Sequence, residues 1–279
     1  MKIKTVIGLG SAGCNIAEKF EQLENYKVLL FDDEIEGDNC FSLPTRYSPE
    51  EYELAVPEDL DILQPENIED DVLFIVGGSG KISCASLKIL QQIKTKKINI
   101  LYIKPDSDLL SSTGIMLDRL VFNVLQEYAK SDLFNRFIII KNSVLEEILG
   151  DLPLVGYYDK INELIFYTLN NINILESSTA ILDNSSTPKD SAKICTVGVY
   201  DIDSGGERLF FPLDNIEDKV YHFFINKDKL RTDGKLYKKI KEAMREKILD
   251  NLKVSYTIHQ SDNAENYCYI IAYTKFKQS

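Results

Sequence analysis

The segment Gly8-Leu9-Gly10-Ser11-Ala12-Gly13-Cys14-Asn15 follows an apolar run at residues 3–7 and carries glycines in the spacing GxGxxG. A second glycine-rich segment, Gly77-Gly78-Ser79-Gly80-Lys81, follows another apolar run at residues 72–76. Glycine lets backbone N–H groups converge on anionic oxygens, and a helix N-terminus adds its positive end. Two such turns therefore predict a bipartite cradle for a polyphosphate.

Short apolar runs and helical patterns alternate around these turns. Continuous apolar runs are typical of strands buried on both faces, and strands alternating with helices indicate a parallel sheet covered by helices. We predict strands at residues 3–7, 27–31, 72–76, 98–103 and 136–140, and helices at residues 15–23, 83–94, 114–130 and 144–149. Residues 38–70 carry many acids and the prolines Pro44, Pro57 and Pro65, which predicts loops with at most a short helix at 49–54.

A long helix is predicted from Tyr158 to Leu182, because apolar or small residues recur there close to every 3.5 positions. The turn-rich residues 183–190 end it. Beyond this loop the pattern changes to strands at residues 194–200, 220–225, 254–259 and 267–273, around one amphipathic helix at 236–252. This last part is predicted to be a separate α+β domain.

Composition limits the classes of function. The chain has 279 residues and a net charge of −12, which argues against a nucleic-acid binder with a basic face. No run of eighteen apolar residues is present, and the N-terminus leads directly into a strand, so we expect a cytoplasmic protein that does not bind membranes. Five scattered cysteines without CxxC spacing indicate reduced thiols and no zinc site.

The charge is unevenly spread along the chain. Residues 32–71 hold fifteen acids and one base, whereas residues 227–247 hold nine bases and four acids. Complementary patches of this kind would guide head-to-tail self-association. The alternative is that both are ordinary solvated surfaces.

The first turn, with Asp32 closing the next strand, also fits the fingerprint of a dinucleotide-binding fold, where the acid accepts from a ribose hydroxyl. An NAD(P)- or FAD-binding Rossmann protein is therefore the main alternative. The second turn favours a different ligand, since a nicotinamide site needs no further glycine cluster. It is not a P-loop, because Ile75 and Ile82 stand where that motif requires Gly and Ser or Thr.

The chain resembles the tubulin/FtsZ superfamily, and its short length is most similar to the divergent TubZ and PhuZ type of phages and plasmids. Five segments match that family's motifs in order: residues 8–15 the first nucleotide loop GxGxxGxN, residues 77–80 the signature GGGTGTG, Lys104-Pro105 the KP pair, residues 141–145 a base-binding segment, and Tyr158 with Asn162 the start of the central helix. The last glycine of the signature is replaced in this chain, where Lys81-Ile82 follow Gly80, and Ser79 stands in place of its threonine.

The resemblance implies a fold of the α/β class: a Rossmann-like, parallel-sheet GTP-binding domain at residues 1–157, a long central helix and catalytic-type loop at 158–190, and a smaller α+β domain at 191–279. It also implies a filament-forming protein that assembles head to tail with copies of itself, with a cargo adaptor as an additional partner. GTP or GDP and Mg²⁺ are the implied cofactors.

The residues of the predicted site suit a guanine nucleotide. Asn142 and Asn162 each offer a donor and an acceptor for the guanine edge, and Tyr158 lies one turn before Asn162, where its ring would stack on the base. Taken alone, each is equally a turn or cap residue. We expect the remaining nucleotide-binding residues to hold the phosphates or to lie near the ribose or a magnesium ion, with Lys104 added from the KP pair: Gly10, Ser11, Ala12, Asn15, Asp32 or Asp33, Gly77, Gly78, Ser79, Gly80, Lys81 and Lys104.

Hydrolysis is where the chain departs from the family pattern. The family's loop after the central helix reads NxDxxD and presents its acids to the nucleotide of the neighbouring subunit. Asp183 and Asp190 are the nearest candidates for orienting water, with Glu176 a weaker alternative if the helix ends early. Because their spacing is displaced, we expect a GTPase with slow or missing turnover. A GTP-binding homologue that does not polymerise is a third alternative.

The two histidines, His222 and His259, lie at strand positions without nearby cysteine or acid clusters in the sequence. We therefore expect a structural role for both. No metal site within the protein is predicted.

Overall fold

A computed structural model describes residues 2–248 and 251–279, which form two compact units, residues 2–167 and 168–279. The strands are β1 Thr5–Leu9, β2 Lys27–Asp32, β3 Cys40–Ser42, β4 Asp71–Gly77, β5 Lys97–Lys104, β6 Arg136–Lys141, β7 Leu182–Asn184, β8 Ile194–Tyr200, β9 Glu207–Leu209, β10 Asp218–Asn226, β11 Lys253–Ser261 and β12 Tyr267–Thr274. The helices are α1 Gly10–Phe20, α2 Pro49–Ala55, α3 Ser86–Gln92, α4 Ser112–Lys130, α5 Asn142–Leu149, α6 Tyr157–Ser177, α7 Lys227–Thr232 and α8 Leu236–Glu246.

The first unit is built on a parallel sheet with the strand order β3-β2-β1-β4-β5-β6. Every residue of β1 is buried, as are residues 72–76 of β4, because helices cover both faces of the sheet. This confirms the predicted α/β class and its mostly parallel sheet. The chain order reverses between β1 and β4, and parallel sheets bind ligands at the carboxyl ends of strands beside such a switch point. Both glycine turns lie there.

Helix α1 packs unusually closely on the sheet, and two glycines make this approach possible. A Cβ atom built at Gly13 would lie 2.4 Å from the carbonyl oxygen of Ile75 in β4. One built at Gly8 would lie 2.9 Å from the Cβ of Ala17. The ring of Phe20 at the end of α1 makes an edge contact with Phe166 of α6, with 4.8 Å between centroids. These contacts fix the helix that begins at the first turn.

The segment at residues 38–70 contains the predicted short helix, observed as α2. A capping box starts α2, in which Ser48 accepts from the Glu51 N–H and the Glu51 side chain accepts from the Ser48 N–H. The prediction missed β3, which pairs in parallel with β2 through Cys40, Phe41 and Ser42. A three-residue strand has too few positions for a recognisable pattern, and here its pairing with β2 defines it.

The prediction that the central helix continues to Leu182 was wrong, since α6 ends at Ser177. The hydroxyls of Ser177 and Ser178 bond to carbonyls of the last turn, at 2.7 Å from Asn173 O and 3.1 Å from Leu175 O. Leu182 fits the helical period by chance and instead lies in β7, which pairs with β11. Its side chain packs against the core of the second unit.

The second unit is an α+β domain with a mixed sheet in the order β8-β12-β10-β11-β7, and β9 pairs with β8. Helix α8 lays Leu236, Ile240 and Met244 on this sheet, four residues apart, which is the spacing of one helix face. The single predicted helix at 236–252 is observed as α8, but its end is earlier, and residues 249–250 lie outside the described residues. The short helix α7 was not predicted.

The five cysteines are free thiols, of which Cys14, Cys195 and Cys268 are buried. Burial raises the pKa of Cys14 to about 12, so this thiol is protonated at neutral pH. No helix in the described part of the chain combines the length and apolar character that a membrane crossing needs.

Candidate nucleotide-binding site

The first glycine turn leaves a helix N-terminus open to solvent. Gly10 begins α1 with φ +69°, a conformation that favours glycine. Its N-cap residue, Leu9, makes no side-chain capping bond, and its first turn contains no acid. Ser11, Ala12 and Asn15 are exposed on one side of it. The first N–H groups of α1 are therefore free of side-chain caps, which suits an anionic oxygen.

The second glycine turn lies against the first. A Cβ atom built at Gly77 would lie 3.3 Å from the Cβ of Ala12, and one built at Gly10 would lie 2.9 Å from Ile82 Cγ2. Contrary to the prediction, the chain after this turn first forms a 3-10 helix at Lys81–Ala85 and only then enters α3. The Lys81 side chain is exposed, as is Gly80, while Ser79 is half-buried.

Asp32 lies at the end of β2, where the Ser11 side chain and the Asp33 N–H both donate hydrogen bonds to its carboxylate. Burial raises the pKa of Asp32, and these two hydrogen bonds act in the opposite direction. Asp33 is directed elsewhere, since its Oδ2 accepts from the Tyr52 hydroxyl at 2.8 Å. Of the two acids, Asp32 is therefore the one that touches the first turn.

A buried ion pair between Lys104 and Asp118 packs against Gly78 of the second turn. The Asp118 carboxylate in α4 accepts from the Tyr102 hydroxyl at 2.7 Å and from the Lys104 ammonium at 3.2 Å. The Lys104 ammonium also lies 3.9 Å from the centroid of the Phe122 ring. A Cβ atom at Gly78 would lie 2.1 Å from the Tyr102 hydroxyl and 2.2 Å from Asp118 Oδ1. Only glycine fits this position without displacing the pair.

The sequence predicted Lys104 as a nucleotide-binding residue through the KP pair, and in the structure its ammonium lies in this ion pair. Asp118 and Tyr102 were missed. An acid inside an amphipathic helix is usually on the solvent side. The available signal was that Val121, Phe122 and Leu125, at three, four and seven positions after Asp118, are all apolar and buried. That spacing puts Asp118 on the buried face of α4.

The predicted base-side residues lie at the start of α5 and in the first two turns of α6, and a side-chain contact joins these two helices. Asn142 is the first residue of α5, and one turn later the Glu146 side chain hydrogen-bonds Tyr157. Burial and this bond raise the pKa of Tyr157 to about 12. The Tyr158 ring makes an edge contact with Tyr157 at 5.1 Å and is 63% exposed. A ring this accessible is free to stack on a ligand.

Three asparagines of the predicted site lack partners for their side-chain amides. Among the described residues, none hydrogen-bonds the side chain of Asn15, Asn142 or Asn162, although Asn162 is only 9% exposed. Asn99 is buried too, but it donates to Val72 O and accepts from the Asn135 side chain. Buried amides are normally paired. The side chain of Asn162 is therefore suited to pair with a ligand. Asn142 does not cap α5, where Lys141 is the N-cap residue.

The acids predicted to orient water belong to the second unit. Asp183 lies in β7 and is exposed; hydrogen bonds from the Ser185 hydroxyl and N–H hold its pKa below the ordinary value. Asp190 is exposed in a turn. Glu176 occupies the last turn of α6, with Oε1 4.0 Å from His222 Nε2. Because α6 ends early, Glu176 and Asp183 both border the end of this helix.

The two histidines form a buried polar chain that the sequence did not predict. His222 Nδ1 lies 2.9 Å from Thr257 Oγ1, which lies 3.0 Å from His259 Nε2. His259 Nδ1 in turn lies 3.0 Å from Ser178 Oγ. These hydrogen bonds connect β10 and β11 to Ser178, just after α6. They therefore position the start of the loop that holds Asp183.

Burial lowers the pKa of His259, and the Asp183 charge acts in the opposite direction. The folded state therefore favours neutral His259, so its contribution to stability is complete above the unfolded pKa of about 6.5 and is lost as pH falls below it. We expect the free energy of unfolding to fall more between pH 7.5 and 5.5 in the wild type than in His259→Gln. Urea unfolding at both pH values measures this, and equal pH dependence of the two proteins would contradict it.

No cluster of three or more metal-binding side chains occurs within residues 2–248 and 251–279. The Ser11 hydroxyl and the Asp32 carboxylate are hard oxygen donors beside the first turn, which suits a Mg²⁺ ion that keeps several waters and binds mainly to phosphates.

Comparison with solved structures identifies the fold. The chain superimposes on FtsZ from M. jannaschii with a TM-score of 0.71 at 12% identity, covering 98% of this chain and 88% of that one. TubZ from Bacillus thuringiensis serovar israelensis, a protofilament in the GTPγS form, gives 0.73 at 17% identity and coverages of 98% and 87%. A TubZ of type III plasmid segregation gives 0.63 at 14% identity, covering 99% and 89%.

No protein-family model matches the sequence, and no curated protein does either. The chain has the tubulin/FtsZ fold over nearly its whole length, which confirms the predicted resemblance at the level of the fold.

Proposed function

We propose that the protein is a GTP-binding, tubulin-like cytoskeletal protein that assembles head to tail into filaments. The observation that carries the proposal is the meeting of both glycine turns at the switch point of the sheet. The side-chain amides of Asn142 and Asn162 also have no partner among the described residues. Several solved structures with this fold are protofilaments or filaments.

In this proposal the turns divide one triphosphate between them. The N-terminus of α1, with Ser11, Ala12 and Asn15, holds the α- and β-phosphates. Gly77 to Gly80 and the exposed Lys81 hold the β- and γ-phosphates. Asn142 and Asn162 pair with the guanine edge, and Tyr158 stacks on its face. Mg²⁺ would bind the phosphates near Asp32 and offset their charge.

Hydrolysis would be completed by the neighbouring subunit, whose loop at residues 183–190 would be presented to the nucleotide. Asp183 is held by Ser185 and Asp190 is exposed, so neither is fixed in place by an ion pair among the described residues. We propose slow turnover, because the spacing of these acids differs from the NxDxxD pattern of the family. Binding of the γ-phosphate would favour assembly, and loss of the γ-phosphate would make assembly less favourable. A cytoplasmic location and a cargo adaptor stay predictions.

Light scattering at 90° with GTP and Mg²⁺, followed by negative-stain microscopy, tests assembly. We expect scattering to rise with GTP and filaments to be visible, and phosphate release in the same samples measures hydrolysis. Absence of polymer at high protein concentration would contradict the filament proposal. Stabilisation against heating by GTP without any polymer would indicate the non-polymerising homologue. Stabilisation by NAD(P)H or FAD instead would indicate the dinucleotide binder, which the position of Asp32 at the end of β2 also fits.

Asn162→Ala is expected to weaken GTP binding by about 1 to 3 kcal/mol, or roughly 5- to 150-fold, because polar groups of the bound base would be left unpaired. Direct titration of wild type and variant measures the change. Asn123→Ala is the matched control, since Asn123 is exposed on α4. Equal affinities for wild type and Asn162→Ala would show that the base does not bind at this residue.

A further inference from the structure

A small apolar cavity lies in the first unit between α2, the 3-10 helix at Lys81–Ala85, and the helices α3 and α4. Its volume is about 150 Å³. The walls are mostly aliphatic, as at Leu87, Val121 and Val124, and they also include the Cys84 thiol and the hydroxyls of Ser83 and Ser86. An apolar cavity of about this volume holds a benzene-sized molecule. The space therefore fits one small ring.

The mouth of the cavity is acidic. Glu50 and Glu53 line it from α2, three residues apart and so on one face of that helix. Both are exposed, and neither forms an ion pair with a described residue. Burial, followed by the charges of Glu50 and Glu53, raises the pKa of the Cys84 thiol in the wall to about 11. Both carboxylates therefore act on the interior of the cavity.

We propose that this cavity is a binding site for a compact apolar amine, a benzene-sized group that enters the cavity and carries a primary ammonium toward Glu50 and Glu53. The chemistry of the two parts of the cavity selects this class: the aliphatic walls take the ring, and the unpaired carboxylates attract the cation. The proposal does not depend on nucleotide binding.

A molecule bound in the cavity would contact Ser83, which hydrogen-bonds the second glycine turn. Ser83 lines the cavity, and its hydroxyl donates to the carbonyl oxygen of Gly77 at 2.5 Å. The Ser86 hydroxyl donates to Ser83 O at the same distance. An occupant would thus contact the residue that holds the end of β4.

Three probes of similar shape and different charge test the proposal: benzylamine, benzyl alcohol and benzoate. Isothermal titration with the full chain at neutral pH, supported by thermal denaturation, measures binding. We expect benzylamine to bind, benzyl alcohol to bind about threefold to tenfold more weakly, and benzoate not to bind. Preferential binding of benzoate would overturn the proposal. An anion is instead expected in the neighbouring cavity of about 300 Å³, which Lys88 and Lys94 line.

Variants locate the binding. Val124→Phe would fill the cavity and abolish binding of both benzylamine and benzyl alcohol. Glu50→Gln/Glu53→Gln changes two exposed side chains, so it should fold normally. This variant should bind benzylamine about threefold to tenfold more weakly than the wild type does, with no change in its affinity for benzyl alcohol. Leu154→Phe, at an exposed loop residue, is the control and should change neither. Unchanged benzylamine affinity in the double glutamine variant would refute the proposal, whatever happens to Val124→Phe.

Discussion

Gly13→Ala is expected to lower the free energy of unfolding by about 3 kcal/mol or more. The new Cβ atom would lie 2.4 Å from the carbonyl oxygen of Ile75, a backbone atom of the central strand β4 that cannot rotate away. Alanine improves helix propensity over glycine by about 1 kcal/mol, so the steric cost outweighs the gain. To relieve the contact, α1 would have to shift on the sheet, and its N-terminus would shift with it. Equilibrium urea unfolding measures the loss.

Gly114→Ala is the matched control, because Gly114 is also a helical glycine, in the first turn of α4. A Cβ atom built at this position would meet no atom closer than 3.5 Å. There the propensity gain is unopposed, and we expect stability unchanged or raised by up to about 1 kcal/mol. Similar effects of the two substitutions would show that the close approach of α1 to β4 is not rigid.

The sequence was sufficient for the parallel sheet because strands covered on both faces are apolar at every position. Those runs, as at residues 72–76, are hard to confuse with loops. The sequence was insufficient where pairing with a distant strand determines the local structure. Leu182 continues a helical period but is held in β7 by its pairing with Ile258, and β3 exists only beside β2. The predicted boundaries at 157 and 190 stay predictions; the two units of the structure divide within α6.

For the site, the sequence identified glycines whose local role is visible in a motif, and the structure gives two of them a packing role that the motif does not reveal. Gly13 and Gly78 are required by close contacts with Ile75, and with Tyr102 and Asp118, whether or not a ligand is bound. The Lys104–Asp118 pair joins residues 14 positions apart on different elements, so no local pattern reveals it. Residue types that suit a ligand can be predicted from sequence, whereas their partners within the protein require the fold.

Asp118→Ala is expected to lower the free energy of unfolding by about 3 to 5 kcal/mol. The substitution leaves the Lys104 ammonium, whose side chain is only 16% exposed, without its carboxylate. It also removes one acceptor of the Tyr102 hydroxyl, which keeps its bond to Asp118 O at 3.1 Å. Urea unfolding measures the loss, and Asp71→Ala is the control, because its partner Lys97 has a side chain that is 51% exposed and the pair spans 3.6 Å. A loss below about 1 kcal/mol for Asp118→Ala would mean that solvent screens the pair.

The double variant Lys104→Met/Asp118→Leu decides what that loss means. Replacing both members of a buried ion pair by apolar residues is often neutral, so we expect most of the stability to return. If the double variant is as unstable as Asp118→Ala, the attraction within the pair is itself stabilising. The stability loss of Asp118→Ala would then not come from the unpaired Lys104 charge. A stable double variant also isolates the predicted role of Lys104 in nucleotide binding, because it lacks the ammonium but retains the fold. GTP affinity equal to that of the wild type would then assign Lys104 to supporting the second turn and remove it from the nucleotide site.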